Sequence, residues 1–393
     1  MLNVAIIGTG NISRLHIEGY LAFPGRCRIA ALCDIVPEKA EGKKRAYKLD
    51  GAKVYASHKD LLADGGIDIV SVCTPPFCHA EIAVDTLNAG VNVLGEKPMA
   101  ASLEECDKMM AAERESGKIL SVIAQNRFRD PIKNLKAALD SGIAGRVVCA
   151  QIDSFWWRGR GYYDLWWRGR WDREGGGCTL NHAVHHIDML LWMMGEPQTV
   201  TAVLSNAAHD NAEVEDISLA ALRYPQGALA QITSSVVHHG EEQQLVFQCE
   251  KARLSAPWRS CASTAQPNGF PVENIELKNE LDVFVGALPN LTHEGHTAQI
   301  DDMLAAVENG SRPAVDGEDG RRTIALICAI YKAGTLKREI DFGIGPDDDF
   351  YTVSGILKNV PRFYEKTASV DDFGGAITVG SDYNYFKKKE SVL

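Results

Sequence analysis

The sequence lacks the features of exported and membrane proteins. It begins MLNVAIIGTG, without the basic segment, long apolar segment and small-residue cleavage site of a secretory signal. No apolar run approaches the length of about 18 residues that a transmembrane helix needs. The ten cysteines form no CxxC pair and are too sparse for a disulfide scaffold, so we expect reduced, mostly buried thiols. We therefore predict a cytoplasmic protein.

Positive charge is also scarce relative to negative charge. Lys and Arg number 41 against 52 Asp and Glu, which gives a formal net charge of −11. Such a chain has no general attraction for phosphate backbones or anionic lipid, so we expect neither nucleic acid nor a membrane as a partner. The P-loop, the GxSxG elbow, the HExxH motif and repeats of fixed period are missing as well. The function must therefore be sought in other motifs.

The composition is that of a globular protein, with 45% hydrophobic residues. The length of 393 residues suits two domains and an appendage. In the first part of the chain, helical patterns alternate with apolar, β-branched runs at residues 4–7, 29–32, 67–73, 91–94 and 119–124. Runs that are apolar throughout predict parallel strands that are buried on both faces. We predict an α/β protein whose first domain, residues 1–125, is a Rossmann-type doubly wound parallel sheet.

The pattern changes after residue 125. One continuous helix is predicted over 178–194, and strand-like stretches then cluster at 199–206, 216–224, 228–236 and 243–249. This order predicts an α+β domain with a largely antiparallel, open sheet over residues 126–340. An uncovered face of such a sheet would be buried best against a second subunit, so we predict a homo-oligomer. Residues 341–393 form a C-terminal extension that we expect to reach a neighbouring subunit.

A glycine turn follows the first predicted strand and opens a helix. The first glycine permits the tight turn, and the second lets the backbone approach a pyrophosphate at the helix N-terminus. An acidic residue ends the second strand about 20 residues further on, where a carboxylate would bond the ribose hydroxyls and repel a 2′-phosphate. This pattern predicts NAD as the cofactor. The predicted ligands are Gly8, Gly10, Asn11, Ile12 and Asp34.

Two alternatives to this interpretation stay open. The glycines could simply make a tight turn, with Asp34 capping the next helix. NADP would be accommodated if the cations at 43–45 turned toward the ribose. We favour NAD because the turn stands in the strand–turn–helix setting that a dinucleotide needs.

Further motifs follow in a fixed order along the chain. They are Thr74-Pro75-Pro76 with His79, Gly95-Glu96-Lys97-Pro98, and Gly175-Gly176-Gly177 leading to Asn181, His185 and Asp188. With this set, the chain resembles the Gfo/Idh/MocA family, which includes glucose–fructose oxidoreductase and inositol dehydrogenase, over roughly residues 3–340. The resemblance implies an NAD-dependent oxidoreductase in which a dinucleotide-binding domain precedes a domain whose open sheet serves as an oligomer interface.

The resemblance also implies roles for individual residues. Lys97 and His185 would face the substrate over the nicotinamide, and Arg127 would contact the substrate. The cofactor side would be lined by Thr74, Pro75, His79, Glu96 and Lys97. The chain departs from the family where Asn181 stands in the place of a common Asp and Ala183 in the place of a Gly. An Asn cannot accept a proton, so the relay role of that Asp does not transfer, although Asn181 can still orient a hydroxyl.

Spacing alone gives a second line of argument for these residues. On one continuous helix, Asn181, His185, Asp188 and Trp192 would share a face, so that the Asp could hold one imidazole nitrogen while the other faces a ligand. Oxidation of a secondary alcohol needs a base for the hydroxyl proton. We hypothesise that His185 is this base and that Lys97 polarises the oxygen.

These two residues also have plainer interpretations. Lys97 could be a surface lysine and His185 a core histidine. A zinc ion is a further alternative, with candidate ligands Cys178, His182, His185, His186 and Asp188. However, neighbouring helical residues project about 100° apart, so one helix cannot aim adjacent histidines at one ion. We therefore predict no metal.

Aromatic and arginine side chains are concentrated in residues 155–171, FWWRGRGYYDLWWRGRW, which we call the aromatic loop. About half of these aromatic residues are expected to pack as core. The others lead into the glycine run and are expected to form a pocket wall, because aromatic faces stack on sugar rings and guanidinium groups bind hydroxyls and carboxylates. A bulky glycoside is favoured over a small polyol. The predicted substrate contacts are Arg127, Trp167, Arg168, Asn181 and His182.

The sequence thus predicts an NAD-dependent dehydrogenase that oxidises a secondary hydroxyl, at C3, of a sugar or glycoside to a keto sugar. One alternative is an inositol or polyol dehydrogenase. Another is an NAD-recycling glycosidase that oxidises C3, eliminates the glycosidic bond and returns the hydride. A non-catalytic NAD-binding sensor is less favoured because Lys97 and His185 are both present.

Overall fold

The computed structural model describes residues 1–371, and its N-terminal sheet follows the predicted alternation. Six parallel strands are arranged in the order β3-β2-β1-β4-β5-β6. The strands are β1 Leu2–Ile7, β2 Cys27–Cys33, β3 Lys53–Tyr55, β4 Ile69–Val72, β5 Asn92–Gly95 and β6 Leu120–Val122. The helices between them are α1 Ser13–Leu21, α2 Pro37–Ala46, α3 His58–Asp64, α4 His79–Asn88 and α5 Leu103–Ser116. Every residue of β4 and β5 is buried, as the uninterrupted apolar runs predict.

The second sheet has nine strands, and all of its pairings are antiparallel except that of β7 with β10. The strands are β7 Val147–Phe155, β8 Thr199–Ser205, β9 Ile217–Arg223, β10 Leu229–Ser235, β11 Gln244–Cys249, β12 Ala252–Ala256, β13 Arg259–Ala265, β14 Pro271–Glu273 and β15 Ile340–Asp341. Exposed and buried residues alternate along β9, so one face of the sheet is left uncovered by residues 1–371. Paired Val203 and Leu219 lie on this face and are 63% and 49% exposed.

The remaining helices are distributed before, between and after these strands. They are α6 Asp130–Asp140, α7 Trp171–Glu174, α8 Cys178–Asn181, α9 Val184–Met194, α10 Ile275–Gly286, α11 Gly295–Asn309, α12 Gly317–Leu336 and α13 Val353–Asn359. The prediction of one continuous helix over 178–194 is wrong, because the helix breaks at His182 and Ala183. Asn181 therefore lies on a different helix from His185 and does not share a stripe with it.

Helix α11 comes from the C-terminal half of the chain but completes the N-terminal domain. The Gln299 side chain accepts the N–H of Ala124 and donates to the carbonyl of Val122, at 2.9 and 2.8 Å. Ile300 is buried where α11 crosses α1, so close to Gly19 that a Cβ there would lie 2.4 Å from its Cδ1 atom. The two domains are therefore linked by more than the connection near residue 125.

The C-terminal extension packs on its own chain as far as it is described. Strand β15 pairs with β8, and residues 361–370 run beside the aromatic loop. For this part, backbone groups bond within the chain, and contact of the extension with a neighbouring subunit stays a prediction. Residues 372–393, to which the same prediction applies, lie outside the described residues.

Two sequence-based exclusions can be compared with the structure. All ten cysteines are free thiols, and most are buried. Among residues 1–371, no helix combines the length and apolar character that crossing a bilayer requires.

Candidate active site

The glycine turn connects β1 to α1 and has room for a ligand. Gly8 has a φ of +90°, and a Cβ there would lie 2.6 Å from the carbonyl oxygen of Cys73, so only glycine fits. A Cβ at Gly10 would meet no atom within 4 Å, so this side of the turn is open. Asn11 is exposed, and no side chain caps the start of α1. The turn thus leaves space and a helix N-terminus for a pyrophosphate.

Asp34 lies directly against this turn. Its Oδ2 atom accepts the N–H and the hydroxyl of Thr9, both at 2.8 Å, and its Oδ1 atom accepts the N–H of Val36 at 3.0 Å. The carboxylate therefore links the turn to the start of α2, and it keeps a negative charge beside the place where a ribose would follow the pyrophosphate.

On the other side of the same cleft, Thr74 begins the Thr-Pro-Pro turn that follows β4. Its Oγ1 atom is buried and finds no hydrogen-bond partner among the described residues. This orphaned hydroxyl and the open side of Gly10 fit a dinucleotide laid along the ends of the strands. His79 does not offer a nitrogen to such a ligand, because its ring lies 2.8 Å from the carbonyl oxygens of both Thr74 and Pro98. It braces the cleft instead.

Both carboxylate oxygens of Glu96 are also bonded within the protein. Its Oε1 atom lies 3.0 Å from His16 Nε2 and 3.1 Å from His296 Nε2, and its Oε2 atom accepts the N–H of Lys97. Burial alone would raise the pKa of Glu96, but the hydrogen bonds and charge of the two histidines outweigh it and hold the pKa well below its usual value. Glu96 therefore fixes the backbone of Lys97, and its contact with the cofactor stays a prediction.

The sequence interpretation missed both of these histidines. His16 lies on α1, six residues after Gly10, and a motif extended by those six residues would have included it. His296 lies on α11 and carries no local signal at all.

Lys97 and His185 line one small cavity, together with Asp188 and Thr323. The ammonium group of Lys97 donates to the carbonyl oxygen of Asn181 at 3.1 Å. The His185 ring makes no hydrogen bond to any residue in the described part of the chain. The catalytic candidates of the sequence analysis are therefore brought together, and the imidazole is left free for a ligand.

Burial shifts the pKa values of both groups. It lowers the pKa of Lys97, with Glu96 opposing and the charge of Arg168 adding to the shift. It also lowers the pKa of His185 to well below 6.5, and the nearby charge of Lys97 contributes. The imidazole is consequently neutral near pH 7 and able to accept a proton.

Asp188 does not orient His185 as predicted. It accepts two hydrogen bonds from Arg127, from Nε at 2.9 Å and from Nη2 at 2.7 Å, and Asp319 lies 3.3 Å from the third guanidinium nitrogen. The forked donors of Arg127 are committed to this buried carboxylate, and contact of Arg127 with the substrate stays a prediction. The pair holds α9 against the segment after β6 and thereby positions His185.

The glycine run allows α8 to approach its neighbours closely. A Cβ at Gly176 would lie 2.1 Å from the Tyr331 hydroxyl, and one at Gly177 would lie 1.9 Å from the Glu215 carbonyl. The Asn181 side chain donates to the carbonyl of Gly176 at 2.8 Å. This close packing places the Asn181 carbonyl oxygen beside the Lys97 ammonium group. The glycine run therefore serves the site because it has no side chains to prevent this approach.

Some aromatic residues of the loop are buried and others stay partly exposed, and the role of the latter as a pocket wall stays a prediction. Trp171 and Tyr163 are buried. The Arg168 guanidinium carbon lies 4.1 Å from the ring centre of Tyr162 and 4.2 Å from that of Trp167, and its Nη1 atom bonds Glu174 at 2.8 Å. Stacking fixes this arginine, and Trp167 stays partly exposed beside it.

His182 connects the aromatic loop with the catalytic candidates. Its Nε2 atom lies 3.3 Å from the Tyr162 hydroxyl. Burial and the charges of Arg158, Arg168 and Lys97 lower its pKa well below 6.5. His182 Nδ1 and Arg168 Nε are buried without a hydrogen-bond partner among residues 1–371. Such atoms are costly unless a ligand or water bonds them, so both predicted substrate contacts retain unused bonding capacity.

The candidate zinc ligands of the helical segment do not converge. Cys178 Sγ is bonded to the carbonyl of Ser234, and Asp188 is bound to Arg127. Within residues 1–371, the sets close enough to share an ion are His16-Glu96-His296 and the surface set His58-Glu81-Asp85, neither of which includes His185. That the protein carries no metal stays a prediction.

Comparison with known families adds independent information about both domains. Residues 2–124 match the model described as the GFO/IDH/MocA oxidoreductase family with an NAD-binding Rossmann fold. Residues 132–255 match the model of the GFO/IDH/MocA C-terminal domain. The first match covers the domain with the parallel sheet, and the second covers part of the domain with the mostly antiparallel sheet.

Similar proteins include enzymes that act on cyclitols and sugars. Myo-inositol 2-dehydrogenase of Thermotoga maritima is 26% identical over 344 residues, which is 86% of this chain and 98% of that enzyme. The 1,5-anhydro-D-fructose reductase of Ensifer adhaerens is 24% identical over 86% of this chain and 98% of its own. A solved structure of the WlbA dehydrogenase from Bordetella pertussis, in complex with NADH and UDP-GlcNAcA, has 28% identity and a TM-score of 0.75, covering 88% of this chain and 98% of that one.

Proposed function

Because this chain belongs to the GFO/IDH/MocA family of NAD-binding oxidoreductases, we propose that it oxidises a secondary hydroxyl, at C3, of a sugar or glycoside to the keto sugar. It is an NAD-dependent enzyme that acts on CH–OH groups, and the substrate and the position of attack are the proposal. The observation that carries it is the pairing of an anchored Lys97 with an unbonded His185 in one cavity.

NAD would be held by the groups that frame the open glycine turn. Backbone N–H groups at Gly10 and Ile12 suit the pyrophosphate, the Asp34 carboxylate suits the ribose hydroxyls, and the unbonded Thr74 hydroxyl is available to the same ligand. A bound NAD⁺ would supply the hydride acceptor for the carbon that is oxidised. The carboxylate at 34 excludes a 2′-phosphate by charge repulsion.

Lys97 and His185 divide the handling of the hydroxyl proton. Lys97 donates a hydrogen bond to the substrate oxygen, and its positive charge stabilises the alkoxide that forms as the proton leaves. A neutral ring nitrogen of His185 takes that proton. Asn181 holds the ammonium group through its carbonyl oxygen and needs no proton of its own, so the absence of an Asp at 181 does not disable the site.

The wall of the pocket supports a sugar as the substrate. Trp167 and Tyr162 offer aromatic faces, and His182 Nδ1 and Arg168 Nε offer unused polar atoms among those faces. Sugar rings present apolar faces and hydroxyl rims that match this combination. The dehydrogenase from Bordetella pertussis, which was solved with a nucleotide-linked sugar acid, supports a derivatised sugar over a small polyol.

An inositol dehydrogenase is the second candidate, favoured by the Thermotoga maritima relative. A panel of glycosides, free sugars and myo-inositol, assayed by NADH formation, separates the two. We expect stoichiometric NADH with a glycoside or sugar derivative, and loss of that signal in His185→Ala. NADH only with myo-inositol would contradict the proposed substrate class, and glycone release without net NADH would indicate the NAD-recycling glycosidase.

The position of oxidation needs its own test. A 3-deoxy analogue of the best substrate lacks the hydroxyl at C3, whereas the 2-deoxy analogue keeps it. We expect the 3-deoxy compound to bind without NADH formation and the 2-deoxy compound to be oxidised. Oxidation of the 3-deoxy compound would overturn C3 while leaving the dehydrogenase assignment in place.

We also propose that the protein is a homo-oligomer through the open face of the second sheet. Val203, Leu219 and Leu229 are exposed on adjacent strands there, and apolar side chains so arranged are normally covered. Light scattering should give a mass above that of one chain, and Val203→Glu should reduce it. A monomer at working concentration would contradict the proposal.

A further inference from the structure

The part of the C-terminal extension that follows α13 crosses the outside of the aromatic loop. We call residues 361–371 the C-terminal strap. Its Val370 accepts the N–H of Trp166 at 2.9 Å and donates to the carbonyl of Asp164 at 2.8 Å, so that Val370 forms a parallel bridge with Leu165. Lys366 donates its ammonium group to the carbonyl of Tyr163. The strap is therefore hydrogen-bonded to backbone groups of the loop at residues 163, 164 and 166.

A buried asparagine joins the strap to the loop from a third segment. Asn211, between β8 and β9, accepts the N–H groups of Thr367 and Ala368 at 2.9 and 3.0 Å. Its Nδ2 atom donates to the carbonyl of Ala368 at 3.0 Å and to the carboxylate of Asp164 at 2.8 Å. All bonding capacity of this amide is thus used to hold strap and loop together.

The two halves of the aromatic loop are held differently. In the first half, Trp156 and Arg158 donate their N–H groups to Ser235 and Val236, at the end of the second sheet. In the second half, the backbone groups at 163, 164 and 166 are bonded to the strap, and they directly precede Trp167 and Arg168. The backbone that directly precedes Trp167 and Arg168 is therefore held by the strap, whereas Gly169 is held by Glu174 and Glu213 and the first half of the loop by the sheet.

Few apolar contacts back up this arrangement. Most strap residues are exposed, and only Pro361, Phe363 and Lys366 are partly buried. A segment held by polar bonds at the surface opens at low free-energy cost when those bonds are removed. Loss of a few bonds should therefore loosen the backbone around Trp166, Trp167 and Arg168 without unfolding the domain, because the buried Tyr163 and Trp171 keep the ends of this half in place.

We propose that the C-terminal strap is a specificity-determining element, which positions Trp167 and Arg168 for substrate by fixing the backbone of residues 163–166. The role in substrate binding rests on the proposed sugar dehydrogenase activity, whereas the role in holding the loop does not. Residues that contact the strap are positioning residues, since the strap itself does not touch Lys97 or His185 in any described contact.

Limited trypsin digestion tests the holding role without any substrate. The loop carries cleavage sites at Arg168 and Arg170, so we compare a chain lacking residues 361–393 with a matched control lacking only 372–393. Cleavage at these two sites should be at least about tenfold faster in the longer deletion and unchanged in the control. Equal resistance in both chains would overturn the proposal.

Point variants guard against a deletion that simply fails to fold. Val370→Pro removes the N–H that bonds Asp164, and Lys366→Met removes the bond to Tyr163. Lys358→Met is the control, because Lys358 is exposed and makes no side-chain hydrogen bond within residues 1–371. We expect faster cleavage at Arg168 and Arg170 in the first two variants only, with unchanged circular dichroism.

Kinetics with the best sugar substrate test the specificity role. The strap variants should raise KM for the sugar about tenfold or more while KM for NAD and the affinity for NADH stay unchanged. A loop that becomes cleavable while KM for the sugar stays constant would overturn the role in specificity. Absence of NADH formation by the full chain with every sugar would instead count against the proposed function and leave the digestion result standing.

Discussion

The cofactor side and the substrate side of the cleft are built in contrasting ways. The cofactor side consists of turns at the ends of neighbouring parallel strands: the glycine turn after β1, Asp34 after β2 and Thr74 after β4. The substrate side is assembled from the aromatic loop, the glycine run, the loop around Asn211 and the C-terminal strap. One side is local in sequence, and the other depends on contacts between segments that lie far apart.

This contrast explains which predicted residues keep their roles. At the cofactor side the strand ends bring the glycine turn, Asp34 and Thr74 together, as motif spacing predicts, whereas His79 and Glu96 are bonded to neighbouring protein groups. At the substrate side Arg127 and Asp188, expected to serve substrate and histidine, instead neutralise each other in the interior. A charged residue near a site can therefore hold a helix in position instead of contacting a ligand.

The largest loss of activity is expected at Lys97 and His185, where the cofactor side and the substrate side of the cleft meet. His185→Ala and Lys97→Met should each lower kcat by about 10²- to 10⁴-fold, because each removes a group that acts on the hydroxyl proton or the developing charge. NADH binding, followed by its fluorescence, should be unchanged. His239→Ala, at an exposed histidine, is the control. Near-normal turnover in His185→Ala would remove it as the base.

The next largest effect tests whether Arg127 is structural. Arg127→Met leaves the Asp188 carboxylate buried without its partner, which should cost about 3–5 kcal/mol in the free energy of unfolding. The double variant Arg127→Met, Asp188→Leu removes both charges and should recover part of that loss. Urea unfolding measures both values. Unchanged stability together with a higher KM for the sugar would show that Arg127 serves the substrate after all.

A smaller effect is expected at the cofactor side. Asp34→Ala removes the carboxylate that is available to the ribose, so the Kd of NADH should rise about tenfold to a hundredfold, and discrimination against NADP should weaken. Titration calorimetry with both cofactors measures this. Asp50→Ala, at an acidic residue without a described hydrogen bond, is the matched control. Retained affinity and selectivity would favour the alternative that Asp34 only braces the turn.

The smallest effect concerns the pH profile. Burial lowers the pKa of Lys97, and the charge of Arg158 contributes to the same shift. Arg158→Gln removes a positive charge, so the Lys97 pKa should rise and the alkaline limb of kcat/KM should move to higher pH by less than about one unit. Arg160→Gln, at an exposed arginine, should leave the limb in place. A shift toward lower pH would contradict the assignment of this limb to Lys97.

The sequence by itself determined the parallel sheet, the glycine turn, the pairing of Lys97 with His185, and the burial of part of the aromatic loop. Each rests on a short-range rule: continuous apolar runs for buried strands, glycines where a Cβ cannot fit, and motif order for residues at strand ends. The short β3 and α3 gave no such pattern and were missed, as was the break at His182 and Ala183.

Only the tertiary structure decided which polar groups are free and which are already bonded. Nothing local in the sequence shows that His296 bonds Glu96, that Arg127 is committed to Asp188, or that Val370 holds Trp166. Hydrogen bonds and ion pairs act over a few ångströms but join residues far apart in the chain, so their partners are set by packing. The same packing leaves His185 and the wall of the aromatic loop with bonding capacity for a substrate.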